Sequence, residues 1–135
     1  MLCKKFDFAK EVSKYYGNTK VISTTLKEVY NVNTNGRGCS TAETKLKGVY
    51  ALFLNGNMMK IGKATDKYGI FHRMSQYYRC DKKGGLKEIN KENRDKIEVL
   101  YFNLCEAEIW FAERRFQVLA HDYGEKMPWE CISRN

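Results

Sequence analysis

The stretch GVYALFLNGNMMKIG, residues 48–62, decides the fold. Val49 to Leu54 is an unbroken apolar run, the pattern of a strand buried on both faces. Asn55-Gly56 follows, and both residue types tolerate positive φ, so the pair is a strong hairpin signal. Met58 to Gly62 then reads as the returning strand. Outward from the hairpin, Gly69 to Arg79 predicts a helix, with Ile70, Met74 and Tyr78 along one face and Arg73 and Tyr77 along another. Asp81 to Asp95 is polar and loop-rich, Ile97 to Phe102 reads as a third strand, and Leu104 to His121 as a long helix. In that helix Ile109, Ala112, Phe116 and Leu119 are expected to face the core, with Glu106, Glu113 and Gln117 on a neighbouring face. The order hairpin, helix, strand, helix predicts an α/β or α+β sandwich: a small mixed sheet flanked by helices.

Before Lys47 the character differs. Residues 1–46 read as a short helical N-terminal extension and residues 47–135 as the domain proper. Phe6 to Tyr16 suits a short helix ending at Gly17, and a second helix is expected to run to Tyr30, capped by Ser23. Asn31 to Ser40, rich in Asn and Gly, reads as a loop.

Composition bounds the function. A chain of 135 residues fits one domain, and its longest charge-free apolar stretch, Gly48 to Met59, is too short for a membrane span. The charges near Met1 break any signal-peptide pattern, so a cytosolic location is expected, in a host cell's cytoplasm if the source is viral. Five scattered cysteines (Cys3, Cys39, Cys80, Cys105, Cys131) form no CxxC pair and read as free thiols. The formal net charge is +8, and Lys60 to Lys96 holds eleven Lys/Arg against five Asp/Glu, a local excess of six. Concentrated positive charge attracts polyanions by counterion release, which raises nucleic acid as a partner without naming an activity.

The sequence Gly48-Val49-Tyr50, nine residues, then Lys60-Ile61-Gly62-Lys63 resembles the paired motif that names the GIY-YIG endonuclease family. Arg73 with Tyr77 four residues later resembles that family's first-helix segment, and Cys105 to Glu113 resembles the helix that ends in its metal-binding glutamate. The resemblance runs from about residue 47 to about residue 120, with its elements in family order. It implies a magnesium- or manganese-dependent endonuclease that hydrolyses phosphodiester bonds, DNA preferred. Its compact size fits a phage, mobile-element or defence setting, and oligomeric state is left open. Tyr50 would be the general base toward water, its anion stabilised by Lys60 and Lys63 across the hairpin. Arg73 would make two-point contact with a phosphate, Tyr77 would hydrogen-bond the same phosphate, and Glu113 would hold the cation. Arg79, Lys82, Lys83 and Lys87 are candidate nucleic-acid contacts. Two departures stand out. Lys60 occupies the second motif's tyrosine position, and no asparagine falls in register with the family's late-strand one; Glu130 or Glu125 are candidate substitutes. A non-cleaving nucleic-acid-binding module and an RNA-directed nuclease are the alternative readings.

Overall fold

The computed structural model describes residues 6–17, 19–35 and 47–130. The elements are helix α1 (Phe8–Tyr16), strand β1 (Ile22–Thr25), helix α2 (Leu26–Asn35), strands β2 (Gly48–Leu54) and β3 (Asn57–Ala64) and helix α3 (Gly69–Tyr78). A short 3-10 turn (Arg94–Lys96), strand β4 (Ile97–Asn103) and helix α4 (Glu106–Asp122) complete the elements of the described residues. The strands form one sheet in the order β1-β4-β2-β3, and all three pairings are antiparallel, so the fold is α+β.

Strand β2 explains the layering. Its residues alternate between faces, and both faces are covered, which is why the run carries no polar residue. Tyr50 and Leu52 enter a core built with Leu26 and Val29 of α2 and Ile70, Met74 and Tyr77 of α3. Val49 and Ala51 enter the opposite core, with Phe8 and Val12 of α1 and Ile109, Ala112 and Phe116 of α4. Full burial of a side chain the size of Phe116 contributes about 1.5–3 kcal/mol. The turn between β2 and β3 uses Asn55 and Gly56, at φ 53° and 80°, the left-handed pair a two-residue hairpin requires.

The N-terminal stretch differs from the expected pair of helices and a loop. Ile22–Thr25 is a strand that pairs with β4, Ile22 opposite Tyr101 and Thr25 opposite Glu98. Ser23 therefore lies within a strand, and Thr25 caps α2 instead: its Oγ1 accepts the Glu28 N–H at 3.1 Å and donates to the Glu28 carboxylate at 3.2 Å. The Thr25 hydroxyl thereby satisfies one of the backbone donors left free at the helix N-terminus. Helix α2 continues to Asn35, beyond the predicted end at Tyr30. In α4, Leu119 is only partly buried and Ala120 takes the core position. The remainder of the expected loop, residues 36–40, lies outside the described residues, as do Cys3, Cys39 and Cys131. Among the described residues no helix is long and apolar enough to cross a membrane.

Strand β3 is an edge strand, and its outer side is covered rather than open. The Ile61 N–H donates to Glu130 Oε2 at 3.3 Å, Gln117 Nε2 donates to the Ile61 carbonyl at 3.1 Å, and the Trp129 N–H donates to the Met59 carbonyl at 3.0 Å. Covering the edge satisfies backbone groups that would otherwise invite another strand.

Candidate active site

Tyr50 stands in β2 directly opposite Gly62 in β3. A Cβ on Gly62 would lie 2.4 Å from the Tyr50 hydroxyl oxygen, so the phenol occupies the space that a side chain there would need. The Tyr50 hydroxyl is hydrogen-bonded to the Tyr77 hydroxyl, which α3 delivers from the same face of the sheet. The two rings meet edge to face at 5.9 Å between centroids. Both residues are buried, Tyr50 to 1% exposure. Burial pushes the Tyr50 phenol well above the ordinary tyrosine value, and the neighbouring Tyr77 hydroxyl adds to this. Burial also raises Tyr77, although its hydrogen bond with Tyr50 acts in the opposite direction.

Two charged side chains act on this pair in opposite senses. Arg73 lies one helical turn before Tyr77 on α3, and its positive charge favours the ionised form of both phenols. Its Nη1 donates to the Gly84 carbonyl at 3.4 Å, while its Nε is buried with no hydrogen-bond partner among the described residues. Glu113, from α4 on the other side of the sheet, opposes ionisation of both phenols. Its Oε1 pairs with Lys63 Nζ at 3.2 Å, and that ammonium sits 3.7 Å from the centre of the Trp110 ring. The cluster thus straddles the edge strand. Tyr50, Tyr77 and Arg73 come from one face, Lys63 and Glu113 from the other, and the bare backbone of Gly62 stands between.

The expected role of the two lysines changes. Strand alternation places Lys63 opposite Val49, on the face away from the Tyr50 ring, where it binds Glu113. Lys60 is opposite Leu52, and its charge bears on Glu130. Arg73 is a cation whose charge favours the Tyr50 anion.

Arg79 is engaged by Asp81 through two contacts, at 3.3 and 2.8 Å. Lys82, Lys83 and Lys87 are exposed on the segment after α3. That segment is tied to the site through the Gly84 carbonyl, which accepts from Arg73. Glu130, one of the two substitutes considered for the late asparagine, reaches β3 from a non-strand segment, with its side chain 2% exposed. Burial raises its carboxyl, while the Ile61 N–H, Lys60 and His121 lower it. Sequence reading singled out neither Gln117's contact with β3 nor Trp110. The first follows from helix spacing relative to Glu113, whereas nothing in the chain order indicates that Trp110 meets Lys63.

The donor set bears on whether a cation fits. Among the described residues no three His, Cys, Asp or Glu side chains are grouped to hold a metal. Mg2+ is nevertheless commonly held by one or two carboxylates, with water and substrate oxygens filling the shell, and Glu113 meets that minimum. No family model, no curated protein and no solved structure matches this chain.

Proposed function

We infer that the chain is a metal-dependent endonuclease of GIY-YIG type, hydrolysing phosphodiester bonds of DNA. One observation carries the reading: two hydrogen-bonded tyrosine hydroxyls lie beside Arg73 and within the field of Glu113, at the two motifs where the resemblance requires them.

The chemistry assigns each group a task. Arg73 has a buried Nε with an open donor and a planar cation suited to two oxygens of a phosphate. Tyr50 would take the proton of the attacking water at its hydroxyl oxygen, and Tyr77 would hold that oxygen in place. In the free protein burial keeps both phenols protonated. A divalent cation, Mg2+ or Mn2+, held by Glu113 would replace the carboxylate's negative field with a positive one and lower the phenol pKa. Lys63, the present partner of Glu113, would be released toward the phosphate. Lys82, Lys83 and Lys87 would supply sequence-independent affinity for the backbone.

A second reading is a non-cleaving nucleic-acid-binding module. It is favoured by the Lys63–Glu113 ion pair, which occupies the carboxylate in the free protein. Nicking of supercoiled plasmid in Mg2+ separates the two. Cleavage abolished by EDTA, and lost in Glu113→Ala with DNA affinity retained, is the expected result. Wild-type cleavage by Glu113→Ala would remove the site assignment. Competition between DNA and RNA strands of the same sequence assigns the substrate class.

A further inference from the structure

The solvent side of α4 is not what a surface helix ordinarily presents. Trp110 and Phe111, successive residues of the helix that carries Glu113, are 62% and 70% exposed. Exposed helix faces are normally polar, and adjacent large aromatics in water mark a binding surface. Phe111 opens onto a groove of about 330 Å³ shared with Tyr15 of α1, Arg114, Arg115 and Val118. Arg115 lies among rings, its guanidinium carbon 4.7 Å from the Tyr15 centroid and 5.4 Å from that of Phe111. The groove lining holds two guanidinium groups and no carboxylate.

The geometry points to α4 as a platform for unpaired nucleotides: bases stack on Trp110 and Phe111, and the strand's phosphates meet Arg114 and Arg115. This rests on the nuclease reading, and it specifies that reading's substrate as one with a single-stranded segment at the site. Charge complementarity selects the occupant. Flat apolar rings alone would suit many partners, but Phe111 beside a groove with two guanidinium groups and no carboxylate, and Trp110 with the Lys63 ammonium against its ring, match an anion with planar faces. A duplex hides its base faces within the stack and offers chiefly phosphates, so it has little to gain from Trp110. Trp110 also stands one turn before Glu113 and carries Lys63 against its ring, so a strand lying on α4 passes the candidate site.

The chain has two tryptophans, which makes the test direct: Trp110 is exposed and Trp129 is buried. The full-length protein is titrated in EDTA with a thymidine oligonucleotide and with a duplex of equal length, following tryptophan emission and affinity. Stacking predicts quenching by the single strand that disappears in Trp110→Ala. It predicts about a tenfold or greater loss of single-strand affinity in Trp110→Ala and in Phe111→Ala, with duplex affinity nearly unchanged. Trp110→Tyr keeps a stacking ring and should restore most of the affinity. Arg114→Gln should flatten the salt dependence of single-strand binding. Unquenched emission, or equal losses on both substrates, overturns the platform. So does self-association that Trp110→Ala abolishes, which would make the face an interface between copies. Duplex binding without single-strand binding sinks this inference alone, whereas absence of binding to either sinks the nuclease reading with it.

Discussion

The hydroxyl of Tyr50 and the hydroxyl of Tyr77 are each other's hydrogen-bond partner, buried under an edge strand whose glycine leaves them room. One comes from the first strand of the hairpin and the other from the helix that follows it, 27 residues apart in sequence. The contact therefore fixes α3 against the sheet as well as placing a proton-carrying pair beside Arg73. Fold and candidate chemistry depend on the same two oxygens.

Removing both oxygens should cost less than the two single removals summed. Tyr50→Phe leaves the Tyr77 hydroxyl buried without its partner, and Tyr77→Phe does the reverse, so each should lose about 1–3 kcal/mol of stability. The double variant buries no orphaned hydroxyl and should be more stable than the sum of the single losses implies. Urea denaturation of the four proteins measures this. In the nuclease assay Tyr50→Phe should cleave at least about a hundredfold more slowly, the usual scale for a lost general base. Strict additivity would mean that the hydroxyls are paired elsewhere.

Alkaline pH gives the same pair a second signature. Both phenols are raised in the folded protein, so the unfolded chain releases these protons first as pH rises. Their contribution to stability is complete below the ordinary tyrosine pKa of about 10 and declines above it, toward the folded values. The stability difference between wild type and the double Phe variant should thus be constant from pH 7 to about 9 and move against wild type beyond about 10. A difference that stays flat through alkaline pH would show that neither phenol is protected.

Gly62 should accept no side chain. Its missing Cβ would fall 2.4 Å from the Tyr50 hydroxyl oxygen and 2.6 Å from the ring carbon that bears it. The strand backbone is held by its pairing with β2, so the ring must move. Gly62→Ala should destabilise by about 1–3 kcal/mol, the usual cost of overpacking, and should break the contact with Tyr77. Tyrosine titration followed by ultraviolet absorbance would detect the displaced phenol as one that ionises more readily. Wild-type stability and titration would mean that the strand shifts without cost.

Helix α2 depends on a cap that the sequence places two residues later than expected. Thr25→Ala removes the acceptor for the Glu28 N–H and should cost about 0.5–2 kcal/mol, whereas Ser23→Ala should change stability little. Thermal melts of the two variants decide between them.

That misplacement shows what was legible. The hairpin, α3, β4 and α4 announce themselves through an Asn-Gly turn and through apolar spacing, because each buries a face that local periodicity encodes. Strand β1 does not. Ile22–Thr25 is four residues long, with two threonines and one serine, and becomes a strand only because β4 offers it a partner some 75 residues away. Position within the candidate site was legible by type and not by direction. Strand parity sends Lys63 to the opposite face from Tyr50, a distinction that needs the register Tyr50 opposite Gly62. Glu130 was harder still, since its role follows from a tertiary hydrogen bond to Ile61, and no periodic pattern leads there.

Lys60, opposite Leu52 on the Tyr50 face of β3, offers a separate test. If it stabilised the Tyr50 anion, Lys60→Met would move the pH–rate profile of single-turnover cleavage to higher pH. In the structure its charge bears instead on Glu130, whose carboxyl is raised by burial and lowered by the Ile61 N–H, Lys60 and His121. A carboxyl raised in the folded state stabilises fully below its unfolded pKa, and that contribution is lost as pH climbs toward the folded value. The charged form of Glu130 is therefore the costlier one in the folded protein, and Lys60 partly offsets that cost. Lys60→Met should destabilise the protein more at pH 7 than near pH 4, because the carboxylate charge it offsets is lost as pH falls. In a Glu130→Gln background, which keeps an acceptor for the Ile61 N–H and has no charge, Lys60→Met should cost little at either pH. Denaturation of the four proteins at both pH values closes the cycle, with the pH–rate profile measured alongside. An equal effect of Lys60→Met in both backgrounds, together with a shifted profile, would assign the Lys60 charge to the Tyr50 anion.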